Sequence, residues 1–242
     1  MFQACTKRGL ILVLLGFCLS THVLASTESL GHGKNTFIEG EHYNRFPTSI
    51  RTHPQVLSFM AQEPKKIQVI EFFSYACYGC YRLQSKFEAW QKTLPNNIVF
   101  YRVPVVFSSP WVNLGKAYYT AKVLNVENKL NHDLFSALHD KKRDISQELE
   151  LKLFFEEHQI PETIFYGAFR SFEVERQFKK GNDLSLAYQI AVSPALIING
   201  PTGSYLTSPA MAKSEDKLFM LLNLLLEKEQ AALSQDLNSK PS

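Results

Sequence analysis

Apolar positions change their period several times along this chain, and each change marks an element. Residues 67–73 read Ile-Gln-Val-Ile-Glu-Phe-Phe, a short and nearly continuous apolar run rich in β-branched and aromatic side chains. Such a run predicts a strand buried on both faces. Residues 74–76 break it, and a helical period follows: Leu83, Phe87 and Trp90 recur at i, i+4 and i+7, with Arg82, Gln84, Lys86 and Glu88 between them. Leu94-Pro95-Asn96-Asn97 stops that helix, and residues 98–103 form a second strand. Strand, helix and strand with short loops predict a βαβ unit with parallel strands and a right-handed crossover.

From 111 to 184 the pattern is helical throughout. Tyr118, Ala121, Val123 and Leu124, then Leu134, Phe135 and Leu138, then Leu151, Leu153 and Phe154, fall at helical spacings. Pro161 suits the first turn of a further helix over 162–172. Four or five short helices are expected. Strand character returns at Ala195-Leu196-Ile197-Ile198, followed by the turn sequence Asn199-Gly200-Pro201-Thr202-Gly203 and a return strand from Tyr205. Leu218, Leu221, Leu222 and Leu225 then line one face of a helix over about 214–233. The order is βαβ, helical block, ββα. That predicts an α/β protein with one sheet interrupted by a helical insertion.

The first residues follow another logic. Lys7 and Arg8 precede an apolar run over 9–19, and Val23-Leu24-Ala25 suits a signal peptidase, which places cleavage before Ser26. The run is too short to span a membrane as a helix. Removing the first 25 of 242 residues leaves 217 and, with Lys7 and Arg8 gone, takes the formal charge from +3 to +1. So small a charge gives no case for nucleic acid as a partner. An apolar content of 45% is ordinary for a chain that buries a full core. Residues 26–36 are expected to be a flexible leader, 37–108 and 185–236 the sheet domain, 109–184 the helical insertion, and 237–242 a tail.

Cleavage also removes Cys5 and Cys18, so Cys77 and Cys80 become the only thiols of an exported chain. Cys77-Tyr78-Gly79-Cys80 lies where strand gives way to helix. The first turn of a helix offers unpaired N–H groups and the positive end of its dipole, which stabilise a thiolate. Cys77 would then attack or be attacked, and Cys80, one turn along and less exposed, would resolve the mixed disulfide. A purely structural bridge closing so small a loop stabilises little. Zinc needs four ligands, and no second cysteine pair exists. His42, His53, His132, His139 and His158 show no paired ligand spacing and read as surface or satisfied histidines. No metal or organic cofactor is expected. Val192-Ser193-Pro194 sits directly before the strand at 195, which fits either a strand-initiating trans proline or a cis peptide.

The stretch Glu71-Phe72-Phe73-Ser74-Tyr75-Ala76-Cys77-Tyr78-Gly79-Cys80-Tyr81 resembles the active-site segment of the DsbA family of bacterial periplasmic thiol-disulfide oxidoreductases. Residues 193–200, Ser-Pro-Ala-Leu-Ile-Ile-Asn-Gly, resemble that family's cis-proline strand and turn. The resemblance covers about 37–235 and implies a thioredoxin-like fold with an inserted helical domain. It further implies Cys77 as nucleophile, Cys80 as resolving thiol, Pro194 as a cis-proline facing them, and Glu71 as a buried acid relaying protons to Cys80. For Glu71 alone, a strand residue pointing at solvent is the plain alternative.

The chain departs from the family at two points. Its best-known oxidants carry Pro-His between the cysteines, where this chain has Tyr78-Gly79. Gly79 offers no charge or hydrogen bond, so a less stabilised Cys77 thiolate and a weaker oxidant are expected. Ser193 stands where the oxidants often carry Val and the isomerases Thr, and its hydroxyl is a candidate for tuning the site. The implied function is a periplasmic oxidant that introduces disulfides into reduced, exported proteins. A DsbB-type membrane quinone reductase would reoxidise it, and no stable membrane insertion of its own is expected. An isomerase or reductase kept reduced is the second reading. A non-enzymatic chaperone, using Phe72, Phe73, Tyr75 and Tyr78 as an apolar surface, is the third.

Overall fold

The computed structural model describes residues 29–31, 33 and 36–239, with side chains as far as 235. The expected signal peptide lies outside the described residues. Strands β1 (Ser29–Leu30) and β2 (Phe37–Ile38) form a small antiparallel pair, and β3 (Asn44–Arg45) precedes helix α1 (Pro54–Met60). The central strand β4 (Ile67–Phe73) leads into α2 (Tyr78–Gln91) and β5 (Ile98–Pro104). Five helices follow: α3 (Trp111–Val123), α4 (Glu127–His139), α5 (Glu148–Glu157), α6 (Glu162–Phe169) and α7 (Phe172–Ala187). The chain then returns to the sheet with β6 (Ala195–Asn199) and β7 (Ser204–Thr207) and ends its described part in α8 (Glu215–Ser239).

The sheet order is β3-β7-β6-β4-β5. β4 pairs parallel with β5, as the βαβ pattern requires, and antiparallel with β6. Every residue of β4 is buried, which is why its sequence shows no polar alternation. The period of two still divides its faces. Ile67 and Val69 pack with Leu83, Phe87, Leu218, Leu221 and Leu222 of α2 and α8. Ile70 and Phe72 pack with Val56, Phe59, Leu184 and Tyr188, on or just after α1 and α7. Glu71 follows Val69 and therefore lies on the face covered by α2. A third apolar cluster joins the end of β4 to the inserted helices, through Phe73, Tyr75 and Cys80 against Tyr118, Leu134 and Phe135.

Several expectations shift in detail. Ser29–Leu30 pairs with Phe37–Ile38, so the stretch 26–36 is not wholly a loose leader. The helix opened by Pro161 ends at Phe169, because Ser171 caps a new one by accepting from the Val174 N–H at 3.2 Å. The helical block continues to Ala187, past residue 184. The last helix reaches Ser239, into the expected tail. No helix among the described residues is long and apolar enough to cross a membrane.

Candidate active site

Strand β4 ends at Phe73, and the turn Ser74–Ala76 carries the chain into α2. The turn is held by the Cys77 N–H donating to the Ser74 carbonyl at 3.0 Å and the Ala76 N–H donating to the Ser74 hydroxyl at 3.2 Å. Cys77 is the N-cap of α2. Its sulfur takes the place of a capping oxygen and accepts from the Cys80 N–H at 3.4 Å. Both cysteines are free thiols in this structure.

The two sulfurs have opposite surroundings. Cys77 is half-buried, whereas Cys80 is fully buried. The Cys77 thiol is lowered from the ordinary range to about 5, chiefly by a hydrogen bond from the Cys80 thiol. Partial burial opposes this shift, while the Ser193 hydroxyl and the N–H groups of Cys80 and Gly79 add to it. Burial pushes the Cys80 thiol far up, and the neighbouring Cys77 sulfur and Glu71 push the same way. One site thus holds a ready thiolate and a thiol that keeps its proton.

The Ser193–Pro194 peptide is cis, and it heads β6 on the far side of Cys77. The Ser193 carbonyl lies 3.2 Å from the Cys77 sulfur, within reach of its thiol proton. Gly79 closes the same space, since a Cβ there would stand 3.3 Å from Pro194 Cδ and 3.7 Å from Cys77 Sγ. Tyr78 points outward, 60% exposed. These residues, far apart in sequence, form one surface around Cys77.

Glu71 is fully buried rather than turned to solvent. Its register partner on β5 is Arg102, whose Nε donates to the Glu71 carboxylate at 2.8 Å. Burial raises the Glu71 carboxyl above its ordinary range, with Arg102 pulling the other way. Arg102 also donates to Asn131 Oδ1 at 2.8 Å and lies over the Phe73 ring at 4.3 Å. A cavity of about 540 Å³, lined by Arg102, Gln84, Glu88 and Asn131 among others, reaches Arg102 from the surface. It is polar and roomy enough to admit water. Among the described residues no cluster of three or more His, Cys, Asp or Glu is arranged to hold a metal.

Arg102 and Asn131 carry no role in the sequence analysis, and His139 is read there only as a surface or satisfied histidine. A parallel register places Arg102 opposite Glu71, and that pairing was available once the βαβ unit was recognised. Asn131 and His139 share the α4 face of the buried Leu130, Leu134 and Phe135, and polar residues on a core face were the signal.

A low-pKa thiolate in exchange reach of a buried thiol, on this sheet, defines a thiol-disulfide oxidoreductase of the thioredoxin fold. Over 170 residues the chain is 31% identical to the thiol:disulfide interchange protein DsbA of Azotobacter vinelandii, covering 70% of this chain and 78% of that one. It belongs to the DsbA family. The DsbA of Pseudomonas aeruginosa is 28% identical over 70% of this chain and 79% of its own. A crystal structure of the Pseudomonas aeruginosa DsbA superposes with a TM-score of 0.69 at 26% identity, covering 81% of this chain and 95% of that one. The oxidoreductase DsbA of Xylella fastidiosa gives a TM-score of 0.67 at 26% identity, over 80% and 97%. No family model matches the chain.

Proposed function

We propose that this chain is a periplasmic oxidant that passes its Cys77–Cys80 disulfide to reduced, exported proteins. The observation that carries the reading is the contrast between an accessible Cys77 with a pKa of about 5 and a buried Cys80 that holds its proton. In the oxidised pair only the Cys77 sulfur can be reached. A substrate thiolate attacks it, the Cys77–Cys80 bond breaks, and Cys80 leaves with the electron pair and takes a proton. A second substrate thiolate then attacks the substrate sulfur of the mixed disulfide and releases Cys77. Two electrons move from the substrate dithiol to the chain's disulfide. The low pKa of Cys77 makes it the better leaving group in this second step and drives transfer toward the substrate.

Cys80 is a poor leaving group unless it is protonated, and Glu71 is suited to supply that proton. It is buried, coupled electrostatically to both sulfurs and held above the carboxylate range. The polar cavity reaches Arg102, whose guanidinium donates to the Glu71 carboxylate. Pro194 and the Ser193 carbonyl would align the substrate backbone beside Cys77. Residues 1–25 would direct export. A membrane partner of the DsbB type, passing electrons to a quinone, would restore the disulfide.

The test is the redox state of the pair inside cells. Cells are quenched in acid, free thiols are tagged with a bulky maleimide, and the gel shift is read. An untagged, oxidised pool is expected. A doubly tagged, reduced pool would overturn the oxidant reading in favour of an isomerase or reductase.

A further inference from the structure

Tyr75 stands two residues before Cys77, in the turn that aims the sulfur, and it is 1% exposed. Three successive turns of α4 grip it. Asn131, Phe135 and His139 recur at i, i+4 and i+8, so they share one helix face. The Tyr75 hydroxyl donates to Asn131 Oδ1 at 3.2 Å. Its ring meets Phe135 edge to face at 4.8 Å. Its carbonyl lies 2.8 Å from His139 Nε2. A carbonyl can only accept, so Nε2 is the nitrogen that carries hydrogen. The His139 ring in turn stacks on Tyr81 of α2 at 4.9 Å and 17°, with Tyr78 at 5.7 Å. Beside it the Tyr81 hydroxyl donates to Asp140 at 2.6 Å. The turn's own bonds run only through Ser74. The Tyr75 carbonyl and hydroxyl are therefore held from outside the sheet domain, by the insertion, while its ring lies between Phe73 of β4 and Phe135 of α4.

We infer that His139 is a positioning residue for the dithiol: by donating to the Tyr75 carbonyl it fixes the β4–α2 turn and with it the aim of the Cys77 sulfur at the first N–H groups of α2. Asn131 serves the same end from the hydroxyl side. It also ties the turn to the Glu71–Arg102 pair, because Arg102 donates to the same Oδ1. The insertion thus supplies part of the active-site frame. The bond that matters is specific and replaceable. A glutamine amide can reach where Nε2 stands, whereas an asparagine amide reaches only as far as Nδ1.

The inference rests on Cys77 being the attacking thiol, and not on the direction of electron flow in the cell. It is tested on the purified, reduced full chain by the rate and pH profile of Cys77 alkylation with iodoacetamide. His139→Asn is expected to slow alkylation at pH 6 by about threefold to tenfold and move the profile to higher pH, as a loosened sulfur loses thiolate character. His139→Gln is expected to keep most of the original rate. An unchanged rate in a folded His139→Asn chain would overturn the inference, and so would an equal loss in both variants, which would point to the ring and not the bond. Should the asparagine variant not fold, nitrogen-15 spectra of the unsubstituted chain decide. An Nε2–H tautomer whose signal shifts on forming the Cys77–Cys80 disulfide is expected, and an Nδ1–H tautomer or a signal indifferent to oxidation counts against it.

Discussion

Cys77 and Cys80 are the same side chain one helical turn apart, and their neighbours divide the labour. At the N-cap a sulfur meets unpaired N–H groups and a thiol donor, while one turn further in the next sulfur is buried in the core, facing the first sulfur and the Glu71 charge. Each donor around Cys77 is therefore a handle on its pKa. Ser193→Val removes a hydroxyl that helps lower the thiolate pKa. The Cys77 titration should rise by about one pH unit, the scale of one hydrogen bond to a charged atom. Gly79→His should act the other way. Position 79 faces Cys77 Sγ across 3.7 Å, so an imidazole attached there has the sulfur within reach, although its Cβ crowds Pro194. Without that histidine, the Cys77 thiolate is expected to be less stabilised than the one that titrates at roughly 3.5 in the strong oxidant DsbA. Titration of thiolate absorbance checks both changes, and a midpoint that rises with histidine at 79 would remove Gly79 as the source of the difference.

Among the elements, those read correctly from sequence are those whose pattern is set by their own burial. β4 is apolar except for Gln68 and Glu71 because both its faces are covered, and the leucine stripe of α8 reports the sheet it lies on. The missed ones are short and owe their form to distant partners. β3 consists of Asn44 and Arg45, both exposed, and is a strand only because it pairs with Leu206 and Tyr205. Likewise the spacing of Cys77 and Cys80 marked the attacking site, but the clamp on Tyr75 depends on how α4 is laid against the turn. The end of the sheet opposite the cysteines is built by another device. Glu229 of α8 is fully buried and accepts from the Thr202 N–H at 2.7 Å, the Tyr205 hydroxyl at 2.7 Å and the Thr202 hydroxyl. A Cβ at Gly200 would fall within 3.0 Å of that side chain, so glycine is what lets α8 come so close. Glu229→Leu leaves buried donors unpaired and should cost about 2–4 kcal/mol, and Gly200→Ala about 1–3 kcal/mol through overpacking. Denaturant unfolding measures both. Because the clasp lies at the far end of β6 from Pro194, the Cys77 titration should not move in either variant, and a shift would mean the two ends of the sheet are coupled.

For the whole molecule, the site links folding stability to redox state and pH. The folded, reduced chain holds Cys77 at about 5, against an unfolded thiol near 8.5. An acid whose pKa is depressed by folding contributes stability that is complete above the unfolded value and lost as pH falls through the folded one. The disulfide form has no Cys77 thiol and no such contribution. Reduction should therefore stabilise the fold more as pH rises, and this is the same free energy that makes the disulfide oxidising. The Cys80 thiol, pushed up by burial, keeps its proton across this window and works against the effect only where an unfolded thiol would ionise. The window thus runs from about 5 to about 8.5. Unfolding of the reduced and oxidised chains, compared from pH 4 to 8, should show a stability gap that is negligible at the acid end and grows steadily toward the alkaline end. Glu71 is coupled to Cys77 and titrates above the usual carboxylate range, so the comparison repeated with Glu71→Gln isolates the sulfur's share. A gap that stays constant with pH would mean that the reduced fold gains nothing from the Cys77 thiolate, and the oxidising power of the pair would have to come from elsewhere in the molecule.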